Sequence, residues 1–300
     1  MKRWRPAFRI ALALFAAGLV VGTLADRHPA RPVLMRGGWR VLAADFHAHS
    51  RFSDGFLTPP ELVLHAERVG LDVLAVTEHN LLFPAAIARW WSQLAGGPTV
   101  ILGEEVTTHD WHLHALGIHD RVSPMQPLGD VIDAIHAQGG LAIAAHPVRR
   151  FWPALVPVIE RLDGAELMHP LAYRSTPRGS GWSGADLVDF FAEAARRGHR
   201  LTAIASSDYH FGAALGEPRT LVFASSDSAE DVVAALRAGR TVVTMADGSL
   251  RGDPDALAAI AKDPLPMAER PDADGRTPLD VLGRILALAG LVGLVAFARR

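Results

Sequence analysis

Residues 45–50 read Asp45-Phe46-His47-Ala48-His49-Ser50 and close an apolar run, Val41–Phe46, that is typical of a buried β-strand. Side chains two residues apart on an extended chain point to the same face, so His47 and His49 face one side. Two imidazoles on one side can hold one metal ion, with Asp45 as an orienting partner. A single H-x-H pair is a weak signal, and it gains weight only if residues of the same kind recur.

Residues of the same chemical kind do recur after later apolar runs. They lie in Ser53-Asp54-Gly55, Thr77-Glu78-His79-Asn80, Gly103-Glu104-Glu105, His112 with His114, Ala145-His146-Pro147 and Ser206-Ser207-Asp208-Tyr209-His210. In a barrel of parallel strands, the carboxyl ends of all strands open on one mouth. The sequence therefore predicts one metal centre built from histidines and carboxylates.

Short apolar segments alternate with amphipathic ones between residues 40 and 250. The predicted strands are Val41–Phe46, Val73–Thr77, Thr99–Leu102, Ala115–Ile118, Ala142–Ala145, Gly164–Met168, Thr202–Ala205 and Thr220–Ala224. The predicted helices are Pro59–Val69, Pro84–Leu94, Leu128–Gln138, Ala185–Arg197 and Ala229–Ala238. Repeated strand–helix units favour a parallel sheet covered on both faces. We therefore expect an α/β domain in which the sheet forms a closed or distorted barrel rather than an open sheet.

One pair of histidines breaks the pattern. His112 and His114 stand at the start of their segment and not at its end. This placement predicts a local hairpin or a reversed strand that folds back over the site. Because the two histidines are two residues apart, both can face the site, and the choice between them stays open.

Composition restricts the kind of metal site. The chain has 300 residues, 14 histidines and no cysteine, so disulfides and thiolate ligands are excluded. The formal net charge of -2 gives no strong signal for nucleic-acid binding. Any ion must therefore be held by histidine and carboxylate side chains.

The N-terminal residues 1–25 have the pattern of an export signal. Lys2, Arg3, Arg5 and Arg9 precede an apolar run from Ile10 to Leu24, which at about 15 residues is short for a spanning helix of roughly 20. Two interpretations remain open: a signal peptide cleaved after Thr23-Leu24-Ala25, and an uncleaved signal anchor.

The C-terminal end carries a second apolar segment. Residues 251–278 are rich in proline, aspartate and alanine and are predicted to be a linker, and residues 279–298 are predicted to form a transmembrane helix. The alternative is an amphipathic helix that packs on the domain. Because the basic residues, including Arg299 and Arg300, lie on the outer end of each run, both termini are expected in the cytoplasm. We expect a membrane-anchored or exported protein whose domain, residues 40–250, lies outside the cytoplasm.

The motifs D-F-H-x-H-S, S-D-G, T-E-H-N, G-E-E-V-T, A-H-P and S-S-D-x-H, in this order, resemble those of the polymerase and histidinol phosphatase (PHP) domain family. The resemblance covers about residues 43–245. It implies a distorted (βα)7 TIM-like barrel, two or three divalent ions (zinc, manganese or iron) and hydrolysis of phosphoesters. The segment around Glu105 is also similar to the subgroup related to carbamate-hydrolysing proteins.

The resemblance also implies which residues hold each ion. The first ion would take His47, His49, Glu105 and Asp208. The second would share Glu105 and take His146 with His112 or His114. The third would take Asp54, His79 and His210. Glu78 replaces the aspartate that the family more often has before the histidine at position 79.

We expect a metal-activated hydroxide to attack a small-molecule phosphoester. Asp208 is predicted to accept the proton of the water, His210 or His79 to assist the leaving group, and Arg149 to neutralise developing charge. His169 follows a strand but matches no ligand position of the family. Two alternatives remain: a hydrolase of carbamates or other non-phosphate esters, and a non-catalytic metal-binding module at the membrane.

Overall fold

The computed structural model describes residues 5–25, 32–173, 181–210, 214–265 and 278–298. The chain divides into two units, one comprising Val33–Ala268 and the other Met1–Pro32 with Glu269–Arg300.

Eleven strands lie in the described part of the larger unit. They are β1 (Met35–Arg36), β2 (Trp39–Asp45), β3 (Val73–Val76), β4 (Thr99–Thr107), β5 (His112–Leu116), β6 (Leu141–Ala144), β7 (Gly164–Met168), β8 (Thr202–Ala205), β9 (Thr220–Ala224), β10 (Thr241–Thr244) and β11 (Leu250–Gly252). They form one sheet in the order β11-β10-β9-β2-β3-β4-β5-β6-β7-β8, and β1 pairs with β2.

The sheet curls into a nearly closed barrel, as the sequence predicts. The Thr220 hydroxyl on β9 accepts the amide N–H of Ala205 on β8 and donates to its carbonyl, both at 2.8 Å. The hydroxyl of Thr241 on β10 donates to the carbonyl of Ala203 at 2.7 Å. Side-chain hydrogen bonds thus complete the barrel where the backbone ladder stops.

The strands are not all parallel. β2, β3 and β4 are parallel to one another, as are β6, β7 and β8. β5 lies antiparallel between β4 and β6, and β9 is antiparallel to β2. The reversed strand predicted from His112 and His114 is therefore confirmed, and it begins at His112, three residues before the predicted strand.

The helices of this unit cover the barrel. They are α2 (Pro59–Arg68), α3 (Phe83–Ala95), α4 (Leu128–Ala137), α5 (Trp152–Leu155), α6 (Pro170–Tyr173), α7 (Gly184–Arg196), α8 (Ala229–Arg237) and α9 (Pro254–Lys262). The other unit contains α1 (Arg5–Ala25) and α10 (Pro278–Ala298). The five helices predicted in the larger unit are all present, within one residue at either end. At α2, Thr58 accepts the amide of Glu61 while the Glu61 carboxylate accepts the amide of Thr58, and Pro59 begins the helix.

A single apolar cluster fills the interior. Leu42 of β2, Val73 of β3, Ile101 of β4, Ile143 of β6 and Ile204 of β8 all belong to it, and all are buried. Since one cluster joins side chains from strands around the whole sheet, it lies inside the barrel. This packed interior leaves only one end of the barrel for the polar residues.

The predicted linker begins later than residue 251. Leu250–Gly252 form β11, and α9 packs Ala256 and Ile260 against Val41 and Phe223. Asp253 caps α9 by accepting the amides of Asp255 and Ala256. The prediction was wrong here because a capping aspartate followed by proline begins a helix as readily as it marks a linker. Residues 266–277 of the predicted linker lie outside the described residues.

The smaller unit is a pair of antiparallel helices. A methyl group at Gly18 of α1 would lie 2.2 Å from the nitrogen of Ala287 in α10, and one at Gly290 of α10 would lie 2.3 Å from the nitrogen of Phe15. Only glycine permits this approach of two backbones. Large apolar side chains such as Ile10 and Leu288 point outward and are exposed.

By length and composition, α1 has a window, Pro6–Thr23, that is suited to crossing a membrane, and α10 has a shorter apolar stretch, Val281–Phe297. The first helix, with 21 residues, is longer than the apolar run that the sequence indicates. Of the terminal basic residues named above, Lys2, Arg3, Arg299 and Arg300 lie outside the described residues.

Candidate metal centre

The structure brings all ten predicted metal-binding residues to one end of the barrel. Five overlapping donor groups form there among the described residues, and three of them correspond to the predicted ion sites. Five of the ten are buried, and His47, His49 and Glu105 among them have no exposed surface. The roles of these residues as metal ligands remain a prediction, and the geometry below bears on it.

The first donor group joins β2, β4 and the segment after β8. The Nε2 atoms of His47 and His49 lie 2.9 Å apart. Oδ1 of Asp208 lies 3.0 Å from the first nitrogen and 3.2 Å from the second, and Oε2 of Glu105 lies 3.6 Å from both. Four donors therefore surround one point.

These separations fit a bound divalent ion. Four donors placed tetrahedrally at the usual zinc–nitrogen and zinc–oxygen distances would lie about 3.3 Å from one another. Oε2 of Glu105 is buried and has no hydrogen bond of normal geometry among the described residues, although Nδ1 of His79 lies 2.8 Å from it. A cation at this point would satisfy it, so the residues fit a metal.

The second donor group shares Glu105. Its Oε1 lies 2.9 Å from Nδ1 of His112 and 3.3 Å from Nε2 of His146. Glu105 thus offers one oxygen to each of two groups, which is what a bridging carboxylate requires. His114 instead places Nε2 3.2 Å from Oε1 of Glu166, so the geometry favours His112 as the ligand.

The third donor group lies at the rim. Oδ2 of Asp54 lies 3.3 Å from Nε2 of His79 and 3.1 Å from Nε2 of His210. Nδ1 of His49 lies 3.6 Å from Oδ1 of Asp54, so this histidine joins the first and third groups. The members of this group other than His49 are partly exposed, which leaves the group open to solvent.

The charges of the cluster alter the acidity of its members. Burial opposes protonation of His47, but Asp208, Glu105 and Glu166 raise its pKa well above the usual value. Burial lowers the pKa of His49 and of His146 to about 4. Both are therefore neutral at pH 7, the form in which imidazole binds metals.

Glu166 is a site residue that the sequence reading missed. Its Oε1 accepts from Nδ1 of His47 at 2.9 Å and lies against His114, and its Oε2 accepts the amide of His146 at 2.7 Å. The available signal was a glutamate in the middle of an otherwise apolar strand, β7. Such a residue is rarely buried without a partner.

His169 also joins the cluster. Its Nε2 lies 3.1 Å from Oδ2 of Asp208, its ring is fully buried, and it stacks on Trp182. Its Nδ1 has no hydrogen-bond partner among the described residues. His169 therefore holds the second oxygen of Asp208, whose first oxygen faces His47 and His49.

Two carboxylates support the backbone. Asp45 accepts hydrogen bonds from the backbone amides of His47, Ser207 and Gly216. It therefore orients the backbone, whereas the sequence predicts that it orients an imidazole. Glu78 accepts the amide of Ser50 and the hydroxyl of Ser53, and so fixes the loop that carries Asp54.

Three site residues have a left-handed backbone. The φ angles are 56° at Asn80, 27° at His146 and 48° at Asp208. Non-glycine residues adopt this conformation at a cost, and they are enriched at functional sites. The strand ends are therefore shaped to turn His146 and Asp208 toward the cluster, while the side-chain amide of Asn80 binds the backbone of Thr107.

The structure does not bring Arg149 into the cluster. Its guanidinium pairs with Asp186 and Asp189 and lies over the ring of Trp152 at 3.8 Å. Because its charge already has two partners, its position does not support the predicted role in neutralising a phosphate.

Comparison with known proteins adds a family match. Residues 190–241 match the family model described as PHP-associated. The matched segment runs from within α7 to the start of β10 and includes Asp208 and His210.

Two known proteins share sequence similarity with parts of the chain. The uncharacterized protein MJ1587 of Methanocaldococcus jannaschii is 27% identical over 133 residues, which are 41% of this chain and 77% of that protein. The error-prone DNA polymerase of Cutibacterium acnes is 37% identical over 84 residues, which are 27% of this chain and 7% of the polymerase.

Among solved structures, one has the same fold with a TM-score of 0.62. It is a two-domain protein of Bacteroides vulgatus that contains a predicted PHP-like metal-dependent phosphoesterase. The two sequences are 23% identical, and the match covers 79% of this chain and 74% of that one. The matched family model, the shared barrel and the ordered histidine and carboxylate motifs all support the resemblance of this chain to the PHP-domain family.

Proposed function

We propose that this protein is a phosphoesterase that hydrolyses a small-molecule phosphomonoester or phosphodiester. The observation that carries the proposal is the sharing of residues between donor groups. Glu105 belongs to the first and second groups, and His49 to the first and third. Ions held by groups that share a side chain would lie close enough together to contact one phosphate.

Two or three ions of zinc, manganese or iron suit the nitrogen and oxygen donors. Divalent ions in such a centre lower the pKa of a bound water and stabilise charge on phosphate oxygens. The protein fixes the positions of the donor side chains. Asp208, fixed by His169, lies where it would accept the proton of that water, and His79 and His210 lie at the open rim where they would assist the leaving group.

The proposal is tested with the full-length chain in detergent, after its metal content has been measured by elemental analysis. The substrates are p-nitrophenyl phosphate, bis-p-nitrophenyl phosphate, a p-nitrophenyl carbamate and a short DNA oligonucleotide. Turnover of a phosphoester above the carbamate supports the proposal. Preference for the carbamate selects the alternative hydrolase. Stoichiometric metal without turnover of any substrate selects a non-catalytic module.

We also propose that the chain is anchored in a membrane with the barrel outside the cytoplasm. The support is the helix pair of α1 and α10, which packs through glycines and exposes large apolar side chains on its outer face. A helix pair in water would place those side chains inside. Antiparallel helices also fit two termini on the same side of the bilayer.

A further inference from the structure

Helix α3 leaves several large apolar side chains exposed, although Trp91 packs against the core beside it. The side chains it buries are small: those of Pro84, Ala85, Ala88 and Ser92. The side chains it exposes are large: Phe83 is 48% exposed, Trp90 60% and Leu94 68%. Positions 83, 90 and 94 are separated by seven and four residues, so they lie along one face of the helix.

This face is continuous with the rim of the metal centre. The ring of Phe52 packs edge-on against that of Phe83 with the centroids 5.0 Å apart, and Phe52 is also exposed. Phe52 lies two residues before Asp54, and Phe83 lies four residues after His79. We call Phe52, Phe83, Trp90 and Leu94 the apolar face.

The charge of α3 favours an anionic partner. Its sequence, Phe83–Ala95, contains no acidic residue and one basic residue, the exposed Arg89. Tryptophan and phenylalanine beside a basic residue are the side chains that bind the interface of an anionic bilayer. An exposed apolar surface of this kind marks an interaction site and not an ordinary solvent-facing helix.

The chain itself supplies a reason for the bilayer to be the partner. Only residues 26–32 separate α1 from the start of the barrel domain at Val33. If α1 spans a membrane, the domain meets the lipid surface at a high effective concentration. A weak surface affinity is then sufficient for docking.

From these observations we propose that the apolar face docks on the surface of an anionic lipid bilayer, so that the rim carrying Asp54 and His79 opens next to the lipid headgroups. The inference concerns where the domain sits on a membrane, and it holds whether the bond that is cleaved is a phosphoester or a carbamate.

The absence of cysteine makes a direct test simple. A single cysteine replaces Leu94, or, as the matched control, the exposed Ala195 of α7, which covers another side of the barrel. Each full-length variant carries an environment-sensitive fluorophore and is incorporated at one chain per nanodisc of phosphatidylethanolamine and phosphatidylglycerol. Lipids with nitroxide-labelled acyl chains then serve as quenchers.

We expect the label at position 94 to shift to shorter wavelength and to lose most of its emission to the nitroxide lipids, while the label at 195 keeps its emission. Equal emission at both positions overturns the proposal. A label at 94 that ignores the lipids but responds to added unlabelled chain overturns it in favour of a second copy. Failure of the chain to co-elute with nanodiscs overturns both docking and anchoring.

A charge variant separates docking from catalysis. The double substitution W90E/L94E should abolish quenching of a label placed at position 86, which is an exposed alanine on the same helix. Hydrolysis of p-nitrophenyl phosphate should stay unchanged, because neither side chain contacts the donor groups. Persisting quenching in this variant contradicts the proposal, whereas loss of turnover in the unmodified chain would contradict only the proposed activity.

Discussion

The Nε2 atoms of His47 and His49 face each other at 2.9 Å in a site with no exposure to solvent. Two imidazole nitrogens at this distance share either a proton or an ion. Nδ1 of His47 is held by Glu166, so Nε2 is the nitrogen that is free to bind. The position of His47 therefore depends on Glu166, a carboxylate that is not among the predicted metal ligands.

Glu166→Gln is expected to weaken metal binding by roughly 10–100-fold without unfolding the domain. The amide keeps the size of the side chain but lacks the charge that holds Nδ1 of His47, and one amide oxygen cannot serve both His47 and the amide of His146. Competition against a calibrated chelator measures the affinity. Glu160→Gln, an exposed position, is the control. Unchanged affinity in the Glu166 variant would remove this residue from the centre.

Glu105→Gln is expected to abolish turnover and lower the bound metal while the fold persists. An amide has a single acceptor oxygen, and its nitrogen only donates, so a glutamine cannot offer one acceptor to each of two cations. Metal content, circular dichroism and turnover are the measurements. The neighbouring variant Glu104→Gln is the matched control, since the side chain at 104 points to the opposite face of β4 and binds the amide of Val122. Full metal content and turnover after Glu105→Gln would exclude the bridging role.

His112→Ala is expected to reduce activity by more than the roughly 10–100-fold that is common for a supporting residue, whereas His114→Ala should stay within that range. The reason is that His112 faces Glu105 and His146 while His114 faces Glu166. The fully exposed His109, changed to alanine, controls for the loss of a histidine. Equal and small losses at 112 and 114 would mean that the second ion takes its histidine elsewhere, and His169 would be tested next.

Glu104→Gln should also stabilise the domain at alkaline pH. Burial raises the pKa of Glu104 to about 7, against an ordinary value near 4.5. Between these two values the folded protein holds a proton that the unfolded chain has lost, so the wild type loses stability as pH rises from about 4.5 to about 7. The variant lacks this loss. With metal removed from both proteins, we expect the variant to gain up to about 3 kcal/mol at pH 8 and much less at pH 5. Melting temperatures across this range provide the measurement, and a gap that does not grow with pH would refute the assignment.

Reporter fusions test the topology. Alkaline phosphatase inserted near Asp274 should be active, and a cytoplasmic fluorescent protein fused after Arg300 should fluoresce. Basic residues at the outer end of each apolar run retain both termini in the cytoplasm. Export of the C-terminal fusion would mean that α10 does not span, and failure to export either fusion would mean that α1 is no export signal.

The fold was predictable where the local sequence agrees with the tertiary structure. Thr220–Ala224 and Gly164–Met168 match the predicted strands residue for residue, since each is a short apolar run between polar turns. β10 and β11 were not predicted. The three strand residues Leu250–Gly252 are all exposed, and they pair only because β10 is adjacent, which is information that no local pattern contains.

The site was predictable for residues whose chemistry lies in motifs at strand ends. Glu166 stands alone in β7, and its role follows from contacts with residues more than 100 positions away in the chain, such as His47. Arg149 lies outside the cluster, because proximity to His146 in sequence does not determine where the side chain points. Asp186 and Asp189, on a helix nearly 40 residues later, pair with its guanidinium.

The helix pair of α1 and α10 has a consequence for how the protein is made. Ribosomes synthesise roughly 5–20 residues per second, so α10 follows α1 only after a delay on the order of 10–50 seconds. The whole barrel emerges during that interval, while Gly18 in α1 still has no partner at Ala287. The barrel therefore has time to fold before α10 is available to pack against α1. A chain that ends between β11 and α10 would carry the complete donor cluster with α1 alone, and the glycine surface of α1 would be free to associate with another helix.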